Sequence, residues 1–224
     1  MIRLSCFADE IAPGLKDQLR VLHELELRFL EIRTVDDVNV MELSPPALHE
    51  IRRACDDGGL TITCVSSPIG KERADVPIAA VEREAEHAAD IADTFGCPYI
   101  RVFSFFRREL SQEAAYGLSL DRLRSMAAIA QARGKVLVLE SGADTVGARS
   151  ADMLRLLQQI DSPALACAFD PAAFFVAGDD PFFESLPTLE RYIQYVHVKD
   201  VRREAPDGCR PAKGTPASLR LWPP

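Results

Sequence analysis

The chain has 224 residues, 47% of them hydrophobic, with 26 Lys and Arg against 34 Asp and Glu for a net charge of -8. That length and apolar content suit one domain with a full core, and the acidic balance offers no electrostatic footprint for a polyanion, so nucleic acid is not expected as a partner. No run approaches the ~20 apolar residues of a membrane span, and the start from Met1 to Asp9 meets an acidic residue too early for a signal peptide, so the expected setting is soluble and cytoplasmic.

Six cysteines, Cys6, Cys55, Cys64, Cys97, Cys167 and Cys209, are scattered without a CxxC pair. Four sit in or beside apolar runs, where a thiol behaves as a small hydrophobe, and all are read as free thiols of a reducing compartment.

In chain order, Arg3 to Phe7 reads as a strand, and Pro13-Gly14 opens a helix with Leu15, Leu19, Leu22 and Leu25 on one side. A second strand, Phe29 to Arg33, precedes a helix that starts near Ser44-Pro45-Pro46, where Ser caps and Pro suits the first turn, and ends by Gly58-Gly59. Leu60 to Ser66 is β-branched and makes a third strand, with Ser67-Pro68-Ile69-Gly70-Lys71 as the loop after it. An Ala-rich helix from about Ile78 to Phe95, a strand from Pro98 to Ser104 and a helix from about Gln112 to Ala132, stopped by Gly134, come next. Val136 to Glu140 is the fifth strand. Ser150 is expected to cap a helix burying Met153, Leu154, Leu157 and Ile160; Ala166 to Asp170 is the sixth strand; and a helix covering about Asp180 to Leu189 leads to the seventh, Ile193 to His197.

Strands alternating with helices predict a parallel sheet with right-handed crossovers, and seven such units favour a closed (β/α) barrel over an open doubly wound sheet. No G-x-G-x-x-G follows the first strand, so a dinucleotide fold lacks its main support. The last three strands each end in a metal-ligand type of residue, Glu140, Asp170 and His197. As neighbours in a parallel barrel they converge on its C-terminal face, and two carboxylates with an imidazole suit a divalent ion that leaves room for substrate.

These residues resemble the xylose-isomerase-like barrel superfamily of sugar-phosphate isomerases and epimerases. The resemblance lies in Phe29 to Arg33, Ser67 to Lys71, Ile100 to Phe105, Leu139-Glu140, Asp144-Thr145 with Gly147, Phe169 to Ala172, and Val196 to Asp200, one segment to each βα unit. It implies a TIM-type barrel and a divalent metal, Mn or Mg first and Zn or Co next, held by Glu140, Asp170 and His197. It further implies that Glu140 is one of a pair of proton-transferring glutamates. The fourth ligand of the family, a Glu after an eighth strand, has no counterpart here; Ala173 and Ser141 stand where relatives often carry Asn or His. Chemically, a metal-held hydroxycarbonyl compound has an acidified C–H that Glu140 is placed to deprotonate. Lys71, Arg101, Arg202 and Arg203 are candidates to receive a phosphate or carboxylate, and Glu31 and Arg33 to line the barrel mouth.

The expected architecture is therefore a barrel domain over residues 1–208, truncated after its seventh strand, and an atypical Pro-rich tail over 209–224. Where the resembling family continues with Pro-Ala-Gly-Glu-Gly-Asp, this chain has Pro211-Ala212-Lys213-Gly214-Thr215-Pro216, which the genetic code relates to it by a change of reading frame. The expectation is an eighth unit that is missing or frameshifted, and a barrel of low stability and activity. The expected function is an isomerase or epimerase of a small sugar, sugar phosphate or related hydroxycarbonyl compound, with a homodimer as its assembly. The alternatives are a non-catalytic metal or sugar-acid binding barrel and a DNA endonuclease of the same superfamily. The endonuclease needs several histidines for a multinuclear zinc site, whereas this chain has four, with His23, His49 and His87 on helices among charged residues.

Overall fold

The structure is a computed structural model, and it describes residues 3–199 and 201. The expectations for Arg202, Arg203 and the tail over 209–224 lie outside those residues.

Strands β1 (Ser5–Phe7) and β2 (Phe29–Ile32) are joined by helix α1 (Leu15–Glu24). Leu22 is fully buried, but Leu25 lies past the helix end and is exposed, so the predicted apolar stripe is one residue too long. A two-residue hairpin, β3 (Thr34–Val35) with β4 (Val38–Asn39), was not expected from the sequence; Asp36 and Asp37 form its turn with φ of 53° and 62°, a conformation that Asp tolerates. Helix α2 (Pro45–Asp57) starts as predicted, with the Ser44 hydroxyl accepting from Ala47 N and Pro45 at the first position. Then come β5 (Thr61–Ser66), α3 (Ile78–Phe95), β6 (Tyr99–Val102), α4 (Gln112–Ala132) and β7 (Val136–Glu140). Gly96 and Gly134, with φ of 65° and 63°, take the left-handed turns that end α3 and α4.

Helix α5 (Ser150–Ile160) corrects one expectation. Ser150 is its first helical residue and does not cap it. Asp179 does so from a distant loop, its Oδ2 accepting from Ser150 N at 2.7 Å and from Ser150 Oγ at 2.8 Å. After β8 (Leu165–Phe169), a short α6 (Pro171–Val176) replaces the expected loop. The predicted helix over 180–189 is a π turn, Pro181–Ser185, running into α7 (Leu186–Leu189), and Asp180 caps it by accepting from Phe182 N and Phe183 N at 2.9 and 2.8 Å. Strand β9 (Ile193–Val196) follows.

The seven long-range strands are all parallel, in the order β1-β2-β5-β6-β7-β8-β9. Contacts across the sheet show how far it curls. β5 and β9 stand four strand intervals apart, about 19 Å on a flat sheet, and β1 and β9 six intervals, about 29 Å. Yet Thr63 Oγ1 lies 3.1 Å from Tyr195 Oη, and the rings of Phe7 and His197 have centroids 5.1 Å apart. The sheet therefore curls round as an incomplete (β/α) barrel of seven strands, with β1 facing β9 through side chains and no backbone pairing between the two edges among the described residues.

Both faces of the sheet are covered, which is why its strands read as nearly continuous apolar runs. Leu30, Ile32, Ile62, Val65, Ile100, Val102, Leu137, Leu139, Cys167 and Phe169 belong to the larger core outside the barrel, shared with the helices. Cys64, Val138 and Ala168, with Tyr99 and Tyr195, form a small separate cluster inside it. Because side chains alternate, the residue two places further along each of these strands also points inward, nearer the C-terminal mouth. Those residues are Ser66, Arg101, Glu140, Asp170 and His197.

Candidate metal centre

Two bulges help to set which residues reach this layer. Between β2 and β5 the register passes from Leu30↔Ile62 to Glu31↔Cys64, leaving Thr63 as an extra residue, and between β8 and β9 it passes from Cys167↔Ile193 to Ala168↔Tyr195, leaving Gln194 extra. A one-residue slip exchanges the two faces of a strand. The Gln194 bulge thus puts Tyr195 and His197 inside and leaves Val196 on the outer face, 48% exposed.

Glu140, Asp170 and His197 are all buried, and one ligand atom from each lies within 4.8 Å of the others. Their surroundings are charged. His197 Nε2 is 3.2 Å from Glu31 Oε2, and its Nδ1 is 3.5 Å from Glu140 Oε1. Glu31 is buried and also accepts a hydrogen bond from the Ser66 hydroxyl. Arg101 Nη1 stands 3.3 Å from Glu140 Oε2, while its Nη2 donates to the carbonyls of Ser66 and Ser67 at 3.5 and 3.3 Å. Asp170 Oδ1 accepts from Ala173 N at 3.0 Å as the cap of α6, and its Oδ2 meets Lys199 Nζ at 2.6 Å.

These contacts set the protonation states. Burial alone would push the His197 imidazole down, but Glu140 and Glu31 outweigh it and raise it to about 9. Burial would likewise raise Glu140 and Glu31, yet the hydrogen bond and charge of His197 hold both below the usual carboxylate range, with Arg101 assisting. Asp170 behaves oppositely: burial raises it, and Lys199 only partly offsets that.

The donor set fits a divalent cation. Two carboxylates and an imidazole supply hard and borderline ligands suited to Mn, Mg or Zn. The Glu140 Oε2 and Asp170 Oδ2 atoms are buried without a hydrogen bond in good geometry, Asp170 being faced by an ammonium and Glu140 by a guanidinium. Such under-satisfied carboxylate oxygens are what a bound ion would engage. Among the described residues no fourth side chain joins the three.

Of the other candidates, Glu31 and Arg101 are in direct contact with the trio. Lys71 packs its ammonium over the Phe103 ring, 4.4 Å from the centroid, beside Arg101 at 5.0 Å from the same ring. Arg33 is turned toward other partners: Asp9 Oδ2 at 2.7 Å, Glu10 Oε1 at 3.1 Å and the Phe7 ring at 4.8 Å. Sequence reasoning missed Ser66, Phe7 and Phe103, and it gave Lys199 no ligand role. Ser66 carries a usable signal, since it lies two residues after the interior Cys64. The contact of Lys199 with Asp170 spans two different strand ends and has no local signature. His23, His49 and His87 are exposed on helices, as expected.

Fold and site together define a parallel (β/α) barrel with a carboxylate–imidazole cluster at its C-terminal mouth. Residues 19–216 match the family model of the xylose isomerase-like TIM barrel, and the chain belongs to that family. No curated protein matches it. Among solved structures it is similar to a D-tagatose 3-epimerase-like protein, at 18% identity over 98% of this chain and 84% of that one, with a TM-score of 0.79. It is similar also to an AP endonuclease of family 2 from Brucella melitensis, at 16% identity, 99% and 86% coverage and a TM-score of 0.79. A third, the IOLI protein with a bound zinc atom, has 16% identity, 96% and 81% coverage and a TM-score of 0.75. At these identities the likeness concerns the fold. No helix among the described residues is long and apolar enough to cross a membrane.

Proposed function

We propose that this chain is a divalent-metal-dependent isomerase or epimerase of a small sugar, sugar phosphate or related hydroxycarbonyl compound, with proton transfer through an enediolate. The observation that carries the reading is the convergence of Glu140, Asp170 and His197 within 4.8 Å at the barrel mouth, the end of the barrel at which enzymes of this fold do their chemistry. The three would hold the ion, which when bound supplies positive charge to stabilise the oxyanions of an enediolate.

The remaining work falls to the chain's own side chains. Glu140 is the base: it is ionised, and Arg101 at Oε2 and His197 at Oε1 hold its carboxylate in one orientation. Glu31 fixes the His197 ring through Nε2 and is itself held by Ser66. That chain of contacts orients a ligand group from behind, as metal-binding imidazoles require. Phe7 and Phe103 set aromatic rings against His197 and Arg101 beside the cluster.

The similarity to an AP endonuclease does not shift the reading, because one histidine lies in the cluster and the net charge of -8 disfavours a nucleic-acid substrate. The test is turnover of a panel of three- to six-carbon ketoses and aldoses in deuterated water with Mn present. The expected result is deuterium at the carbon next to the carbonyl; turnover without exchange from solvent would overturn the proton-transfer route.

A further inference from the structure

Asp170 has one oxygen to offer a cation. Its Oδ1 accepts from Ala173 N at 3.0 Å as the cap of α6, so Oδ2 is the oxygen left over, and Lys199 Nζ stands against it at 2.6 Å. The carboxylate is fully buried. A buried carboxylate without a counter-charge is costly, and this ammonium supplies one.

Strand register brings the lysine there. Phe169 pairs with Val196, and His197 N donates to Phe169 O at 2.9 Å, which fixes the end of β9 beside Asp170. Side chains alternate beyond that point. His197 is buried in the mouth, Val198 is 68% exposed on the outer side, and Lys199 falls on the side of His197 again. Its charge reaches a second carboxylate as well: against burial, which raises the pKa of Glu140, His197, Arg101 and Lys199 all lower it.

The two cations facing the cluster carboxylates differ in how firmly they are held. Arg101 is 6% exposed and donates to the carbonyls of Ser66 and Ser67 besides facing Glu140. The Lys199 side chain is 55% exposed, so its contact with Asp170 lies at the tip of a flexible stem with solvent on its other side. Rotation of that stem withdraws the charge and leaves the backbone in place. An ion engaging Asp170 Oδ2 would meet the ammonium as an adjacent like charge, so one of the two has to leave.

We propose that Lys199 competes with the divalent ion for Asp170 Oδ2, pairing with this carboxylate in the metal-free chain and turning out to solvent when the ion binds. This rests on the metal centre of the function proposed above and not on its reaction. The lysine thereby keeps Asp170 paired without metal and sets how much free metal is needed to load the site.

The experiment has two arms, both run at about pH 8, above the ordinary range of carboxylates. In the first, Mn is titrated calorimetrically into the wild type, Lys199→Met and Lys199→Arg. Lys199→Met is expected to bind Mn about tenfold tighter than the wild type, the ratio set by a lysine that holds the site roughly nine-tenths of the time. Lys199→Arg keeps a cation in place and is expected to bind no tighter than the wild type. In the second arm the wild type alone is reductively methylated in chelator and with saturating Mn, and the labelling of Lys199 is read by mass spectrometry against that of the exposed Lys16 on α1. The ratio of Lys199 to Lys16 is expected to rise with Mn, because the released ammonium becomes available to the reagent. Equal or weaker Mn binding by Lys199→Met, or a labelling ratio that Mn leaves unchanged or lowers, would overturn the proposal. The labelling arm decides it should Lys199→Met fail to fold. Absence of Mn binding from every form would remove the metal centre itself and the proposal with it, an outcome distinct from Mn binding that ignores the lysine.

Discussion

Arg101→Met is the perturbation that most directly questions how the site is held together. The guanidinium side chain is 7% exposed and that of Glu140 9%, so this is a buried pair, and Arg101 also donates to two backbone carbonyls. Removing one partner of a buried pair leaves an uncompensated charge and costs about 3–5 kcal/mol. His197 still faces Glu140 in the variant, at 3.5 Å, and this argues for the lower end, about 3 kcal/mol. For a domain of this size that is a fall in melting temperature of roughly 6–12 °C. The assay is thermal unfolding followed by circular dichroism, in chelator and again with saturating Mn. The variant is expected to lose that much in chelator and to gain more from Mn than the wild type does, because the ion restores positive charge beside Glu140. Arg20→Met, which removes two exposed helix-surface pairs, with Asp17 and Glu24, serves as control and is expected to leave unfolding nearly unchanged. A variant that melts with the wild type in chelator, or that gains less from Mn, would refute the reasoning.

His197→Ala and Asp170→Ala are each expected to weaken Mn binding by about 100-fold or more, since each removes a ligand from a set of three; calorimetry showing wild-type affinity in both would remove the metal centre. Gly70→Ala places a methyl 2.0 Å from the Phe103 carbonyl oxygen at a φ of 87°, and an expected loss of about 3 kcal/mol combines overpacking with backbone strain. Denaturant unfolding within experimental error of the wild type would show that the loop is not locked against the end of β6.

Much of the fold was legible because its signals are local. Each barrel strand is a run of three to six residues, and caps such as Ser44 before Pro45 and stops such as Gly134 act within one turn of chain. The convergence of Glu140, Asp170 and His197 was legible as well, since a parallel barrel gathers the C-terminal ends of its strands at one face. The errors share a cause. Ser150 looked like a cap, but Asp179, 29 residues away, takes both its N–H and its hydroxyl. No helix was expected directly after Asp170, although an acidic cap followed by Pro is how a helix starts, and only the packing of Phe174 inside the core decides for α6.

The sequence by itself determined the alternation of strands and helices, the parallel sheet and the three ligand-type residues at neighbouring strand ends, because periodicity, capping and turn chemistry act over a few residues. Only the tertiary structure decided that Glu31 and Ser66 brace His197 from behind, that Arg33 turns to Asp9 and Glu10, that Lys199 reaches Asp170, and that Lys71 is left facing Phe103. Those choices depend on strand register, including the bulge at Gln194, and on pairings between residues as much as 166 positions apart. A one-residue shift in register reverses which side chains point inward, and that register is fixed by the packing of the whole sheet.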